Sequence, residues 1–474
     1  MKSPILFSAL VLLFFSVCNA QKASWVSSIE NDLWKQQKNI QPKTKAPAGT
    51  VVEIDLSNPQ QDIEGFGGCF NELSWDALQL VDEQMRDKIL NDLFNPNDGL
   101  KFNFCRTPIG ANDYSRGWYS YDETDGDFEL KYFSIERDKE AIIPYIKAAL
   151  KINPNIKIWA SPWSAPTWFK INHHYANKST NCNDLPKSRE VPNYQDQMIQ
   201  DSRYLQAYAL YFSKYLDAYK AEGIAISRVM YQNEAFTFAD WPNCSWSPHS
   251  IGRFNAEYLG SKLAETHPEV EIYAGTFNTR DMKVFETIMS YPNFTKYVKG
   301  LGLQWEGRDA VAKIHERYPE TKLMQTESEC GNGKFSWKDA EHTFDLMKRY
   351  FNGGVSSYMN WNMVLKDDGA SAWCWKQNAL IRILSSTKEV IYTPEYYVYK
   401  HISSFVPKGS VKLPVKQVNE SYDNILAFKT PENSIIAVLA NYMEEPEEIT
   451  LKVNKKYLTV TLPAKSFNTV KISN

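Results

Sequence analysis

One pattern recurs through the middle of this chain and limits what it can fold into. A short apolar run is followed by a loop of polar and aromatic residues, then by a stretch with apolar residues at i, i+3, i+4 spacing. Strands are expected at 65–70, 102–108, 156–161, 228–232, 271–275, 300–305, 322–326 and 357–361. Helices are expected between them, at 82–94, 136–152, 204–222, 252–266, 281–289, 309–318 and 340–351. Eight such alternations predict an α/β fold, a (β/α)8 TIM barrel. The competing doubly wound sheet carries a Gly-rich nucleotide turn after its first strand, and Gly65-Phe66-Gly67-Gly68 lacks that fingerprint.

The texture changes after Lys400. Runs at 411–418, 425–429, 434–441, 449–453, 458–462 and 469–472 are short, split by turn residues and free of helical spacing. They predict an appended antiparallel β-sandwich. At the other end, 28–37 reads as a polar helix and 42–47 as a Lys/Pro linker, and 51–56 alternates as a strand suited to that same sandwich. The expected organisation is a leader at 1–20, an N-terminal segment at 21–61 contributing to the sandwich, the barrel at 62–398 and the sandwich at 399–474.

Residues 1–20 have the make-up of a signal peptide: Lys2, an apolar core from Ile5 to Val17, and small residues before Gln21. Anchoring as a lipoprotein through Cys18 is the alternative. The chain is therefore expected to be exported, in the periplasm, outside the cell or tethered to its surface, with no transmembrane segment. Six cysteines remain after the leader. Cys182 and Cys244, both in loop-like sequence, are the pair expected to bridge. Cys69 and Cys105, in apolar runs, are expected as buried thiols. A net charge of −3 gives no basic field for nucleic acid.

Barrel enzymes keep their working residues at the C-terminal ends of the strands. Those positions here hold Arg106 with Asp113 beyond it, Trp163 within Ser161-Pro162-Trp163-Ser164-Ala165-Pro166-Thr167-Trp168, Asn233-Glu234, Trp305-Glu306, Glu327 and Trp361. There is no HExxH, no Cys/His metal spacing and no GxSxG elbow, so no metal or cofactor is expected. Carboxylates, amides and indoles on one face fit glycoside hydrolysis, which asks for two carboxylates flanking the scissile bond. Strands four and seven lie nearly opposite each other in an eight-stranded barrel, so Glu234 and Glu327 are the expected pair. Glu329 stays open as the alternative to Glu327, because alternation along a strand puts the two on one side.

These residues, with Gly65-Phe66-Gly67-Gly68, Arg106-Thr107-Pro108, Thr326-Glu327 and Asn360-Trp361-Asn362 in order along the chain, resemble glycoside hydrolase family 30. That family includes glucosylceramidases and endo-β-1,6-glucanases. The resemblance implies a retaining mechanism with Glu234 as acid/base and Glu327 as nucleophile. It also implies that Asp113, Trp163, Asn233 and Trp361 hold the glucosyl unit, with Arg106, Trp305 and Glu306 counted among the substrate-binding residues. Glucosylceramidases tend to carry a Tyr where Glu306 stands. The substrate expected is β-1,6-glucan, cut internally; the alternatives are glucosylceramide, or a carbohydrate-binding protein without catalysis.

Overall fold

The computed structural model describes residues 22–473, so the expected leader and Cys18 lie outside the described residues. Eight parallel strands form the barrel: β1 Gly65–Cys69, β2 Phe104–Pro108, β3 Lys157–Ser161, β4 Ile226–Met230, β5 Glu271–Phe277, β6 Val298–Gln304, β7 Lys322–Glu327 and β8 Ser357–Asn362. They pair in chain order from β1 to β7, and β8 pairs with β1. The seam between β7 and β8 is closed partly by a side chain. The amide of Gln325 accepts from the Met359 N–H at 2.5 Å and donates to the Met359 carbonyl at 3.2 Å, standing in for a peptide. β1 approaches its neighbour closely because Gly67 has no side chain: a Cβ there would meet the Phe104 carbonyl oxygen at 1.9 Å.

The barrel interior is layered by the two-residue alternation of its strands. At the bottom Arg228 pairs with Glu64 and Glu271 at 3.1 and 2.6 Å, its guanidinium 3.7 Å from the Tyr273 ring centre. Phe104, Trp159, Met230, Tyr273, Met324 and Met359 fill the middle as one apolar cluster. This plug separates the ion-paired bottom of the barrel from the cavity at its upper end. The outer helices include Glu83–Phe94, Ile142–Ile152, Ser202–Ala221 and Trp337–Asn352, each burying an apolar face against the strands. Among the described residues no helix is long and apolar enough to cross a membrane.

The sandwich draws on both chain ends. Its six-stranded sheet includes Lys22–Ile29 and Asp32–Gln36 beside C-terminal strands, and Thr50–Ile54 joins the four-stranded sheet. The helix expected over 28–37 is therefore a hairpin. Lys22–Ile29 pairs along its length with Ser466–Ser473, and the Ser28 hydroxyl meets His401 at 2.9 Å. Pairing with residues more than 400 positions away overrides the local helical spacing. The single strand expected at 411–418 is split by Pro414 into Val411–Leu413 and Val415–Gln417, which lie in different sheets. The helix Pro394–Ser403 runs across residues 398 and 399.

The expected Cys182–Cys244 bridge is not formed. Cys182 is bonded to Cys374, and Cys244 is a buried free thiol, as are Cys69 and Cys105. The bridge joins the loop after β3 to the loop after β8, two segments 192 residues apart in sequence that meet above the barrel mouth.

Candidate active site

Arg106, in the middle of β2, organises the upper layer. It is 1% exposed, yet its guanidinium hydrogens all point at groups from other strands. Nη1 donates to Glu327 Oε2 at 2.8 Å, and Nη2 donates to Asn233 Oδ1 at 2.7 Å and Ser161 Oγ at 2.8 Å. The faces of Trp163 and Trp159 lie 4.1 and 4.7 Å from the guanidinium carbon. A buried cation of this kind is stable only when paired and hydrogen-bonded throughout. Arg106 thus fixes the positions of β3, β4 and β7 residues relative to one another and does not line the cavity itself.

Above it lies a cavity of about 430 Å³, lined by Asp113, Asn233, Glu234, Trp305, Glu306 and Glu327, with Tyr194, Phe236, Trp241 and Trp375 among the walls. The Asn233 oxygen accepts three donors, from Arg106, Thr276 Oγ1 at 2.8 Å and Gln304 Nε2 at 3.2 Å, which turns its own N–H2 toward the cavity. Glu234 is 8% exposed and has φ 47, a left-handed conformation uncommon outside glycine. Gln304 Nε2 donates to Glu234 Oε1 at 2.9 Å, and Thr237 Oγ1 donates to Oε2 at 3.1 Å. Glu327 Oε1 accepts from the Trp305 indole at 3.2 Å.

The electrostatics separate the two glutamates. Burial, and then the charge of Glu327, raise Glu234 to about 7. Burial raises Glu327 as well, but Arg106 opposes the shift directly, and the Trp305 indole adds a hydrogen bond to the carboxylate. Glu234 is therefore the group that holds a proton near neutrality, and Glu327 the one that holds the charge. Asp113 is a third buried carboxyl, pushed well up by burial and by both glutamates. Its Oδ1 has no partner among the described residues, which leaves it an unmet need for a hydroxyl from a ligand.

The backbone sends Glu327 and Glu329 to different surroundings. β7 ends at Glu327, with an irregular register against β6 over its last residues, so strand alternation does not carry on to Glu329. Glu329 is ion-paired with Arg308 and meets His342 at 3.0 Å, away from the cavity lining. Glu306 is on the exposed rim, 4.0 Å from Arg280. The like charge raising Glu234 comes from Glu327, and those raising Asp113 come from Glu327 and Glu234. Trp163 and Trp361 are buried and stacked on each other at 4.9 Å, and neither is among the residues lining the cavity.

Comparison with known proteins agrees with this geometry. The glycosyl hydrolase family 30 TIM-barrel domain matches residues 63–406, and the family's beta sandwich domain matches residues 409–470. The chain belongs to glycosyl hydrolase family 30. It is a glycoside hydrolase by that membership. It is 26% identical over 430 residues to lysosomal acid glucosylceramidase of Mus musculus, covering 85% of this chain and 79% of that protein. It is 24% identical over 383 residues to endo-1,6-beta-D-glucanase neg1 of Aspergillus fumigatus, covering 78% and 76%. The solved structure of the endo-beta1,6-glucanase BT3312 superposes with a TM-score of 0.80 at 24% identity, over 96% of this chain and 99% of that one.

Within this family 30 barrel, several cavity residues had no sequence signal strong enough to single them out. Gln304 stands at a strand end, but an amide there gives no hint that it serves Glu234 and Asn233 together. Tyr194, Trp241 and Trp375 lie in long loops whose paths are set by tertiary contacts: Trp375 packs on Trp241 at 5.1 Å and on Tyr114 at 5.7 Å. Their aromatic character was the sole clue.

Proposed function

We propose that the protein hydrolyses β-1,6-glucan with retention of anomeric configuration, Glu234 acting as acid/base and Glu327 as nucleophile. The observation that carries this reading is a pair of carboxylates on one cavity held in opposite states of protonation. Burial and the Glu327 charge raise Glu234 to about 7, while Arg106 Nη1 donates to Glu327 at 2.8 Å. A protonated acid beside a charged carboxylate is the division of roles that double displacement needs.

In the first step Glu234 gives its proton to the glycosidic oxygen as Glu327 attacks the anomeric carbon and the leaving alcohol departs. In the second, Glu234, now ionised, takes a proton from water. The resulting hydroxide displaces Glu327 and restores both groups. Asn233, with its N–H2 turned to the cavity, donates to the sugar 2-hydroxyl, and the free oxygen of Asp113 accepts from other sugar hydroxyls.

The rim favours a glucan over a glycolipid. Asn193, Thr237, Asn278 and Glu306 surround the opening with polar groups, and the apolar groups among them are aromatic walls, not an aliphatic surface for lipid chains. We take residues 1–20 to direct export, which the Cys182–Cys374 bridge supports, since such bonds persist in oxidising compartments. The test is a product profile on β-1,6-glucan beside glucosylceramide. Oligosaccharide release from the glucan without ceramide release is expected; ceramide release with an intact glucan would replace this reading with the glucosylceramidase one.

A further inference from the structure

Tyr194 is a side chain of unusual placement. It is 41% exposed, lines the cavity, and has φ 63, a conformation that a tyrosine adopts at a cost. One face of its ring is covered by Phe236, stacked at 4.5 Å and 17°. Phe236 in turn stacks on Phe277 of β5 at 6.3 Å and 16°. The Tyr194 hydroxyl meets Thr279 Oγ1 at 3.0 Å, and the neighbouring Asn193 Nδ2 donates to the Phe236 carbonyl at 3.1 Å. The ring is therefore held from the edge and from one face, and its other face has no aromatic partner among the described residues.

Its position relative to the chemistry follows from the chain. Phe236, on which the ring rests, is two residues past Glu234. A proton donor sits beside the oxygen that leaves, so an aromatic plate anchored next to Glu234 flanks the departing group and not the glucosyl unit being attacked. A rigid ring with one free apolar face and a satisfied hydroxyl is suited to the C–H face of a sugar. We propose that Tyr194 is the stacking platform for the glucose residue on the leaving-group side of the scissile bond, and hence a determinant of preference for saccharide over small leaving groups. This rests on the assignment of Glu234 as proton donor and on the glucanase reading.

The test compares Tyr194→Ala and Tyr194→Phe with the wild-type protein on β-1,6-linked gluco-oligosaccharides and on β-glucosyl fluoride, whose single-atom leaving group is too small to reach the ring. For Tyr194→Ala, the ratio of kcat/KM on the oligosaccharide to that on the fluoride should fall about 10- to 100-fold, the range given by loss of one stacked ring. The loss should appear mainly in KM, and Tyr194→Phe should restore the ratio to within about threefold. Equal losses on both substrates would mean that the ring only supports the fold, and unchanged rates on both would mean that no sugar rests on it; either overturns the proposal. A wild-type protein that hydrolyses the fluoride and leaves the oligosaccharides intact would refute the glucanase reading and this inference with it. A normal wild-type protein with an indifferent Tyr194→Ala would refute the inference alone.

Discussion

Glu327→Gln should lower kcat on any β-glucoside by on the order of 10⁴-fold or more, the scale of losing a covalent nucleophile. The amide oxygen of Gln can still accept from Arg106, so the thermal transition should stay cooperative while turnover is lost; circular dichroism beside a hydrolysis assay checks both. Glu329→Gln is the matched control. Its carboxylate is bonded to Arg308 and His342 outside the cavity, so its rate should stay within about threefold of wild type. The opposite result, turnover surviving Glu327→Gln and lost in Glu329→Gln, would exchange the two residues' roles. Arg106 shows why the outcome is expected to be one-sided: its Nη1 contact with Glu327, at 2.8 Å, keeps one carboxylate charged inside a buried site.

The second large effect is on pH. The proposed acid role requires Glu234 to be protonated when the leaving group departs, and burial followed by the Glu327 charge raises it to about 7. The proton is present below that value and lost above it, so kcat/KM should fall as pH rises through about 7. Glu234→Gln should abolish this alkaline limb. It should also cost about 10²- to 10⁴-fold in rate on substrates with poor leaving groups, and much less where the leaving group needs no proton. The same coupling prepares the second step. Once Glu327 is esterified its charge is gone, one cause of the raised value disappears, and Glu234 ionises more readily to act as base. A pH–rate profile of both proteins on an alkyl and a fluoride glucoside checks the limb and its dependence on leaving group.

What could be read before any coordinates were known divides along physical lines. Barrel strands announce themselves because buried parallel strands are continuous apolar runs, and their last residues face one mouth. That is why Glu234, Glu327, Asp113 and Asn233 could all be named from strand ends. Contacts between distant segments left no such mark. The hairpin at Lys22–Ile29 depends on a partner strand at Ser466–Ser473, and Cys182 found Cys374 because two loops meet above the barrel. Arg106 and Trp163 read as site residues in the sequence, but only the fold shows one to be a buried hub and the other a ring packed on its guanidinium. Tyr194 lies in a loop whose sequence says nothing of the Phe236 ring beneath it.

The account turns on direct attack by Glu327 and proton transfer by Glu234, and this leaves a stereochemical record. Proton NMR during the first moments of hydrolysis, before mutarotation, reads the anomer released. The two-step displacement predicts that the new reducing end appears first as the β anomer; α anomer appearing first would mean a single displacement by water and would contradict it.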